Sequence, residues 1–213
     1  METAIKSEKT LRKEYKDEKG RPVMLVNITL PMLTGNEAFR RNSEKLYNGI
    51  FDGFLSYCEK RLYKKALKES AGEDFNPRGG VMKYTVSFEN DFFFSAFVDA
   101  SIFDGKVRSK VARLSQVWSK NEGRLLNFND FFNRADRDRL ISLFTAEVGR
   151  KKTMGLADYK KGVENLIETH ADFSRFYLVP NGYAFYYAPG ELSDSRLPEV
   201  FITTYKAEKF TTK

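Results

Sequence analysis

The side chains best suited to acid–base chemistry in this chain of 213 residues are two pairs of carboxylates. Glu89 and Asp91 are two positions apart, which would place both on one face of a continuous strand. Asp99 and Asp104 are expected on the neighbouring strand. Paired carboxylates are the groups that an acid/base hydrolase uses. Asn90 predicts a turn between the first two, however, and acidic residues are common in turns for structural reasons. A carboxylate-based hydrolase is therefore one alternative for the function.

The chain has few residues that could bind a metal ion or act as a nucleophile. Cys58 is the only cysteine, which excludes an internal disulfide and a multi-cysteine metal site. Its apolar neighbours on a predicted helix indicate a buried thiol. His170 is the only histidine and follows another predicted helix, where a surface or capping role is expected. We predict no cofactor and no bound metal.

The chain is basic, with 36 Lys and Arg against 29 Asp and Glu and a net charge of +7. The densest basic groups, residues 60–65 and 150–152, lie at predicted helix ends, where cations oppose the helix dipole. A solvated face explains them, and a patch for a polyanion or the cell wall is the other interpretation. The run Phe92-Phe93-Phe94 suggests base stacking, but successive strand residues face opposite sides. Nucleic-acid binding is therefore the last of the alternatives.

A strand hairpin and a long helix are predicted at the start of the chain. The runs 11–15 and 23–30 have extended-type compositions, and the polar segment between them predicts a turn. Asn36 is the expected N-cap of a helix that continues to about Glu69.

The apolar stripe of this helix is predicted from spacings of three and four residues. Gly49 and Gly53, one turn apart, are expected to allow close approach of another element. The stripe consists of Phe39, Leu46, Ile50, Phe54, Tyr57, Cys58, Leu62 and Leu67.

The rest of the chain predicts a linker, a meander, two helices and a final set of strands. Residues 70–80 are the linker, because glycines and a proline interrupt them. Asp104-Gly105 and Asn181-Gly182 are hairpin turn signals. The last strands are expected to complete the sheet that the meander begins. The predicted strands are 81–88, 91–103, 106–119, 176–179, 183–188 and 198–202, and the predicted helices are 135–151 and 156–169.

These elements predict an α+β fold, with a curved, mainly antiparallel sheet packed against the long N-terminal helix and two later helices. Residues 8–70 are expected to form one module and residues 80–205 another, packed as one compact unit. No run approaches the roughly 18 apolar residues that cross a bilayer, so no integral membrane segment is predicted. The chain is either cytoplasmic or what remains of an exported, envelope-associated protein after removal of a leader.

The order of elements near the C-terminus resembles a known family. Aromatic runs flank Asn181-Gly182, and residues 189–192 and 198–202 follow as a loop and a strand. Further back, residues 118–126 and then 129–132 form a strand, a turn and the start of a helix. This pattern is similar to the C-terminal domain of anti-sigma-V factors, which also occurs beside peptidoglycan deacetylase domains. Residues 26–67 resemble the module that usually precedes it.

The resemblance implies a non-catalytic binding module of a bacterial envelope-associated protein, whose partner is a lysozyme-like protein or a cell-wall glycan. In the anti-sigma-V relatives, the loops equivalent to residues 102–106 and 192–198 contact lysozyme. Here both loop sequences differ from the family pattern, so both partner classes stay open. We expect the site where these two loops meet. The candidate binding residues are Phe103, Asp104, Lys106, Arg108, Tyr186, Tyr187, Asp194 and Arg196.

Overall fold

A computed structural model describes residues 3–72, 75–105 and 107–204 of the protein. The strands are β1 (Ile5–Lys16), β2 (Pro22–Leu33), β3 (Arg78–Glu89), β4 (Phe93–Asp104), β5 (Val107–Arg108), β6 (Ala112–Ser119), β7 (Arg124–Leu125), β8 (Phe176–Val179), β9 (Gly182–Tyr187) and β10 (Glu199–Thr203). The helices are α1 (Glu37–Tyr57), α2 (Tyr63–Glu69), α3 (Phe128–Phe131), α4 (Arg134–Thr153) and α5 (Val163–Thr169). The α+β class predicted from the sequence is confirmed.

The N-terminal hairpin and the long helix form as predicted. Strands β1 and β2 pair antiparallel, and each is longer than the sequence pattern suggested. Asn36 caps α1, because its Oδ1 accepts a hydrogen bond from Phe39 N at 2.9 Å. A π-helical turn, Cys58–Leu62, joins α1 to α2, so the helix runs without a break to Glu69.

The buried stripe of this helix differs from the predicted one. Ser43 and Tyr47 are buried although only apolar residues were expected there, while Tyr57 is exposed. The sequence pattern selected residues by apolarity, but a small hydroxyl and a large ring also fit against the sheet. The residues that the helix buries are Phe39, Ser43, Tyr47, Phe51, Cys58, Leu62 and Ala66.

The close approach expected at the helix glycines occurs at a strand glycine instead. A Cβ at Gly49 or Gly53 would have no described atom within 4 Å, so the prediction for these residues is wrong. A Cβ at Gly80 would lie 2.7 Å from Cys58 Sγ and 3.4 Å from Phe54. Glycine in β3 therefore lets the helix approach the sheet closely.

The large sheet has the strand order β1-β2-β3-β4-β6-β7, and β5 pairs with β4 outside this path. Its pairs are antiparallel except for β2 and β3, which are parallel because the long helix connects them. Strand β3 begins at Arg78, inside the predicted linker 70–80, so the linker is shorter than expected. The division into modules 8–70 and 80–205 stays a prediction, and the β2–β3 pair joins strands from both.

The last strands form a separate sheet, which corrects the prediction that they extend the first one. Its order is β10-β9-β8. Tyr177 and Tyr186 on one face pack with Phe97 of the large sheet. Phe176 and Phe185 on the other face pack with α4 and α5. The layers are therefore helix, large sheet, small sheet and helices. The sequence shows that these strands have two apolar faces but not which sheet they join.

Both predicted later helices are present, preceded by the short α3, but one of them is shorter than predicted. Helix α4 agrees with the predicted 135–151. Helix α5 begins at Val163 instead of Leu156, because Gly162 has a φ of +72° and interrupts the helical backbone. Tyr159, which the prediction placed on this helix, forms a bridge with Ser193.

Replacing Phe185 with alanine should lower the free energy of unfolding by about 3–5 kcal/mol. Its ring lies in the centre of the aromatic core between the small sheet and the helices and is 2% exposed. Asp194→Ala, at an exposed loop position, should change stability by less than about 0.5 kcal/mol. Urea denaturation of both variants measures the difference, and a similar loss in both would contradict this assignment of the core.

Candidate functional site

The loops that the sequence singled out lie against each other at one end of β4. Arg196 Nη1 donates to the carbonyl oxygen of Arg108 at 2.7 Å. The carbonyl oxygen of Arg196 in turn accepts from Val111 N at 2.9 Å. These two bonds fasten loop 190–198 to the segment that follows the β4–β5 hairpin.

A groove of about 550 Å³ opens beside this junction, between the end of the long helix and the hairpin. We call it the arginine groove. Ile102 and the buried Leu62 line its apolar part, and Tyr57 and Val107 are exposed at 45% and 52%. An exposed aromatic ring beside cations is a surface on which a sugar or an apolar side chain can pack. The cationic lining residues are Arg61, Lys65, Arg78, Arg108 and Arg196.

Arg78 is the buried cation of the groove. Its side chain is 4% exposed. Nε and Nη2 both donate to Glu69 Oε2, at 3.0 and 2.5 Å. Nη2 also lies 2.9 Å from Asp104 Oδ1. Because Glu69 ends α2, Arg78 begins β3 and Asp104 ends β4, this triad holds three chain segments together.

The groove carries an excess of positive charge. The Arg61 side chain makes no ion pair or hydrogen bond within the described residues, and the Arg196 guanidinium bonds only to a carbonyl oxygen there. Lys65 lies 3.9 Å from Glu69 in an exposed pair, which stabilises little. Among the described residues that line the groove, Asp104 is the one carboxylate. A partner that presents anionic groups would meet an attractive potential.

The two other predicted hairpin residues that the structure describes differ: Arg108 lines the groove, whereas Phe103 does not. Arg108 Nε donates to Ser101 Oγ at 3.2 Å, and its guanidinium lies 5.8 Å from the centre of the Phe103 ring. Phe103 is half-buried against Gly79, on the face opposite to Ile102. Lys106 lies outside the described residues.

Asp194 is exposed on the other side of loop 190–198. It lines a separate pocket together with Tyr159 and Glu199. Glu199 Oε1 accepts from Lys151 Nζ at 2.8 Å and from Tyr159 Oη at 2.7 Å. The structure therefore does not bring Asp194 to the groove that Arg196 lines.

Tyr186 and Tyr187 are core residues, which corrects their expected place beside the loops. Tyr186 Oη donates to the carbonyl oxygen of Arg113 at 3.1 Å, between the two sheets. Tyr187 Oη donates to the carbonyl oxygen of Ile167 at 2.8 Å. Burial raises the pKa of both phenols, so they stay neutral donors. Their side chains are 6% and 3% exposed, which leaves little surface for a partner.

The carboxylates considered for hydrolysis do not face each other. Glu89 Oε1 accepts from Ala4 N at 2.6 Å and from Lys120 Nζ at 3.1 Å, while Asp91 is exposed in the adjoining turn. Asp99 holds Arg113 through two bonds of 2.7 Å between the sheets. Since Asp104 is five positions further along β4, the two aspartates are on opposite faces of the strand.

The remaining candidates for chemistry have structural positions. Cys58 is buried, and burial raises the pKa of its thiol to about 11. His170 is an exposed residue at the end of α5. Phe94 is fully buried and Phe93 half-buried, which leaves Phe92 as the exposed ring of that run.

Residues 3–72, 75–105 and 107–204 contain neither a metal-binding cluster nor a helix that could span a membrane. In that part of the chain, no three or more His, Cys, Asp or Glu side chains are arranged to hold a metal ion. Each helix there is too short or too polar to cross a bilayer.

Two residues of the groove, Arg78 and Tyr57, were not predicted from the sequence. Arg78 was assigned to a linker, although its position directly before Gly79-Gly80 and a strand pattern could have indicated the start of β3. Tyr57 was assigned to the buried stripe of the helix. The basic cluster around Arg61 was recognised, but only the tertiary fold brings it to the hairpin.

Comparison with solved structures defines the fold of this chain. A member of the DUF3298 family from Bacteroides fragilis matches with a TM-score of 0.57 and 11% identity over 95% of this chain and 92% of that chain. A DUF3298 family protein from Pseudomonas aeruginosa matches with a TM-score of 0.54 and 12% identity over 92% and 89% of the two chains. Neither family models nor curated proteins give a match. At these identities the likeness concerns the fold alone.

Neutralising both anions around Arg78 should be much more costly than neutralising either one. Asp104→Asn leaves Glu69 in place, and Glu69→Gln leaves Asp104, so each should lower the free energy of unfolding by about 1 kcal/mol. The double variant leaves the buried guanidinium without a carboxylate partner, and its free energy of unfolding should fall by about 3–5 kcal/mol. Urea denaturation of the four proteins gives the coupling, and additive losses would show that the triad does not act as a unit.

Proposed function

We propose that the protein is a non-catalytic binding module of a bacterial envelope-associated protein, and that the arginine groove recognises the anionic groups of a cell-wall glycan. The observation that carries this proposal is the position of Arg61 and Arg196. Both lack a carboxylate partner within the described residues, and both line one groove. Unpaired cations around a concave surface favour an anionic ligand.

The shape of the groove supports a glycan with charged substituents. Tyr57 offers an exposed aromatic face and Val107 an exposed apolar one, and both line the same groove as the cations. A sugar ring can pack on such a face while carboxylates of its peptide substituents contact the guanidinium groups. Recognition would therefore combine one stacking contact with several ion pairs.

The resemblance to anti-sigma-V factors supports a location at the cell envelope. The family occurs at the cell envelope and beside peptidoglycan deacetylase domains, and the DUF3298 structures have the same fold as this chain. An extracytoplasmic location follows from the proposal. A lysozyme-like protein is the second candidate partner, because the two loops that meet at Arg196 and Arg108 correspond to the lysozyme-contacting loops of those relatives.

Arg61→Glu should weaken binding to purified peptidoglycan sacculi by at least about tenfold, because it reverses a charge on the groove wall. Sacculi freed of phosphate-bearing polymers are sedimented with the protein, and the unbound fraction is measured. Arg41→Glu is the matched control: Arg41 is also exposed, lies on the same helix, and its substitution changes the net charge equally. It should leave the affinity within about twofold.

The same assay with immobilised lysozyme separates the two partner classes. Binding to lysozyme but not to sacculi, abolished by Arg196→Glu, would replace the glycan with the protein partner. Binding to neither would overturn the proposed function. Affinity for sacculi should also fall as the salt concentration rises, since exposed charges are screened beyond about 10 Å at 0.1 M ionic strength.

A further inference from the structure

Asp104 occupies an unusual position, because it is a carboxylate in a groove that otherwise presents cations. Its side chain is 63% exposed, whereas that of its partner Arg78 is 4% exposed. Both residues line the arginine groove. The buried guanidinium is therefore bonded on the groove side to an anion that is itself largely in solvent.

The two anions of the triad are not equivalent. Glu69 Oε2 accepts from Nε and Nη2 of Arg78, so it neutralises the buried cation through two hydrogen bonds. Asp104 Oδ1 contacts Nη2 alone. If Asp104 turned away, Arg78 would keep a partner and the buried charge would stay compensated. Rotation of an exposed side chain is fast, so the Asp104 contact can exchange readily.

We propose that Asp104 occupies the position of a ligand carboxylate in the unbound protein. When the glycan binds, a carboxylate of its peptide displaces Asp104 from Nη2 of Arg78. This inference rests on the proposed function of the same groove. It makes Arg78 a binding residue at the bottom of the groove and Asp104 an internal competitor. Because the competitor is a carboxylate, the recognised group has the same chemistry.

The negative charge of Asp104 favours its replacement by a ligand carboxylate over a purely structural role. A ligand anion that enters while Asp104 stays would lie within a few ångströms of a like charge, which costs about 1 kcal/mol at 4 Å in water and more in a less polar groove. A ligand that replaces Asp104 avoids this repulsion and gains a charge-assisted hydrogen bond. Asp104 therefore lowers the affinity for single, weak anions and favours ligands that also contact Arg61 and Arg196.

Asp104→Asn tests this inference, because it removes the competing charge and preserves the size of the side chain. Its affinity for peptidoglycan sacculi should rise by about fivefold or more, which corresponds to the repulsion removed. Asp52→Asn is the matched control, since Asp52 is exposed on α1, away from the groove, and its substitution changes the net charge equally. It should leave the affinity within about twofold.

A second measurement tests the exchange without the cell wall. Glutarate, a small dicarboxylate, should raise the melting temperature of Asp104→Asn more than that of the wild type at constant ionic strength. Unchanged or weaker binding of Asp104→Asn, an equal shift in glutarate, or failure of Asp104→Asn to fold would each overturn the inference and leave Asp104 as a structural contact. If the wild type does not bind sacculi, the proposed function fails, and the glutarate measurement still decides this inference.

Discussion

Strand β4 is covered on both faces, and this determines how the long helix and the small sheet are placed around the large sheet. Phe94, on one face, packs beneath the long helix with Phe39. On the other face, Ser95 Oγ accepts a hydrogen bond from Leu178 N at 2.9 Å, and the Phe97 ring lies 4.9 Å from Tyr177. A strand that is buried on both sides fixes the helix and the small sheet relative to each other. Loop 190–198 is thereby carried to the end of β4, where the groove forms.

The groove shows how the fold distributes charge. Arg113 and Arg175, which lie near the small sheet, are paired with carboxylates. Arg61 and Arg196 are left without such partners in the described chain and face one concave surface. Stability does not require this arrangement, because an exposed arginine gains little from the fold. Unpaired arginines around one groove are expected if the surface binds an anionic partner. The Arg78 triad then forms a rigid base for that surface.

Local signals in the sequence were sufficient for the elements but not for their assembly. Asn36 and Asn181-Gly182 predicted a helix cap and a hairpin from the chemistry of single residues, and the structure has both. The separate small sheet was missed, because a continuous apolar run shows that a strand is buried without showing which elements cover it. Arg78 was missed for a related reason: only the tertiary fold places its partners Glu69 and Asp104 around it. Tyr186 was misassigned because a tyrosine near a loop can be buried when its hydroxyl finds a carbonyl oxygen.

The proposed function depends on whether the arginine groove is the surface that contacts the ligand. The most direct measurement is a titration of the isotopically labelled protein with a soluble peptidoglycan fragment, followed through the backbone amide resonances. We expect the largest shifts at Tyr57–Lys65 and at residues 102–109, with the signal of Arg196 shifting at the same ligand concentrations. Shifts confined to the pocket around Asp194 and Tyr159, or to the β1 edge of the large sheet, would contradict the account.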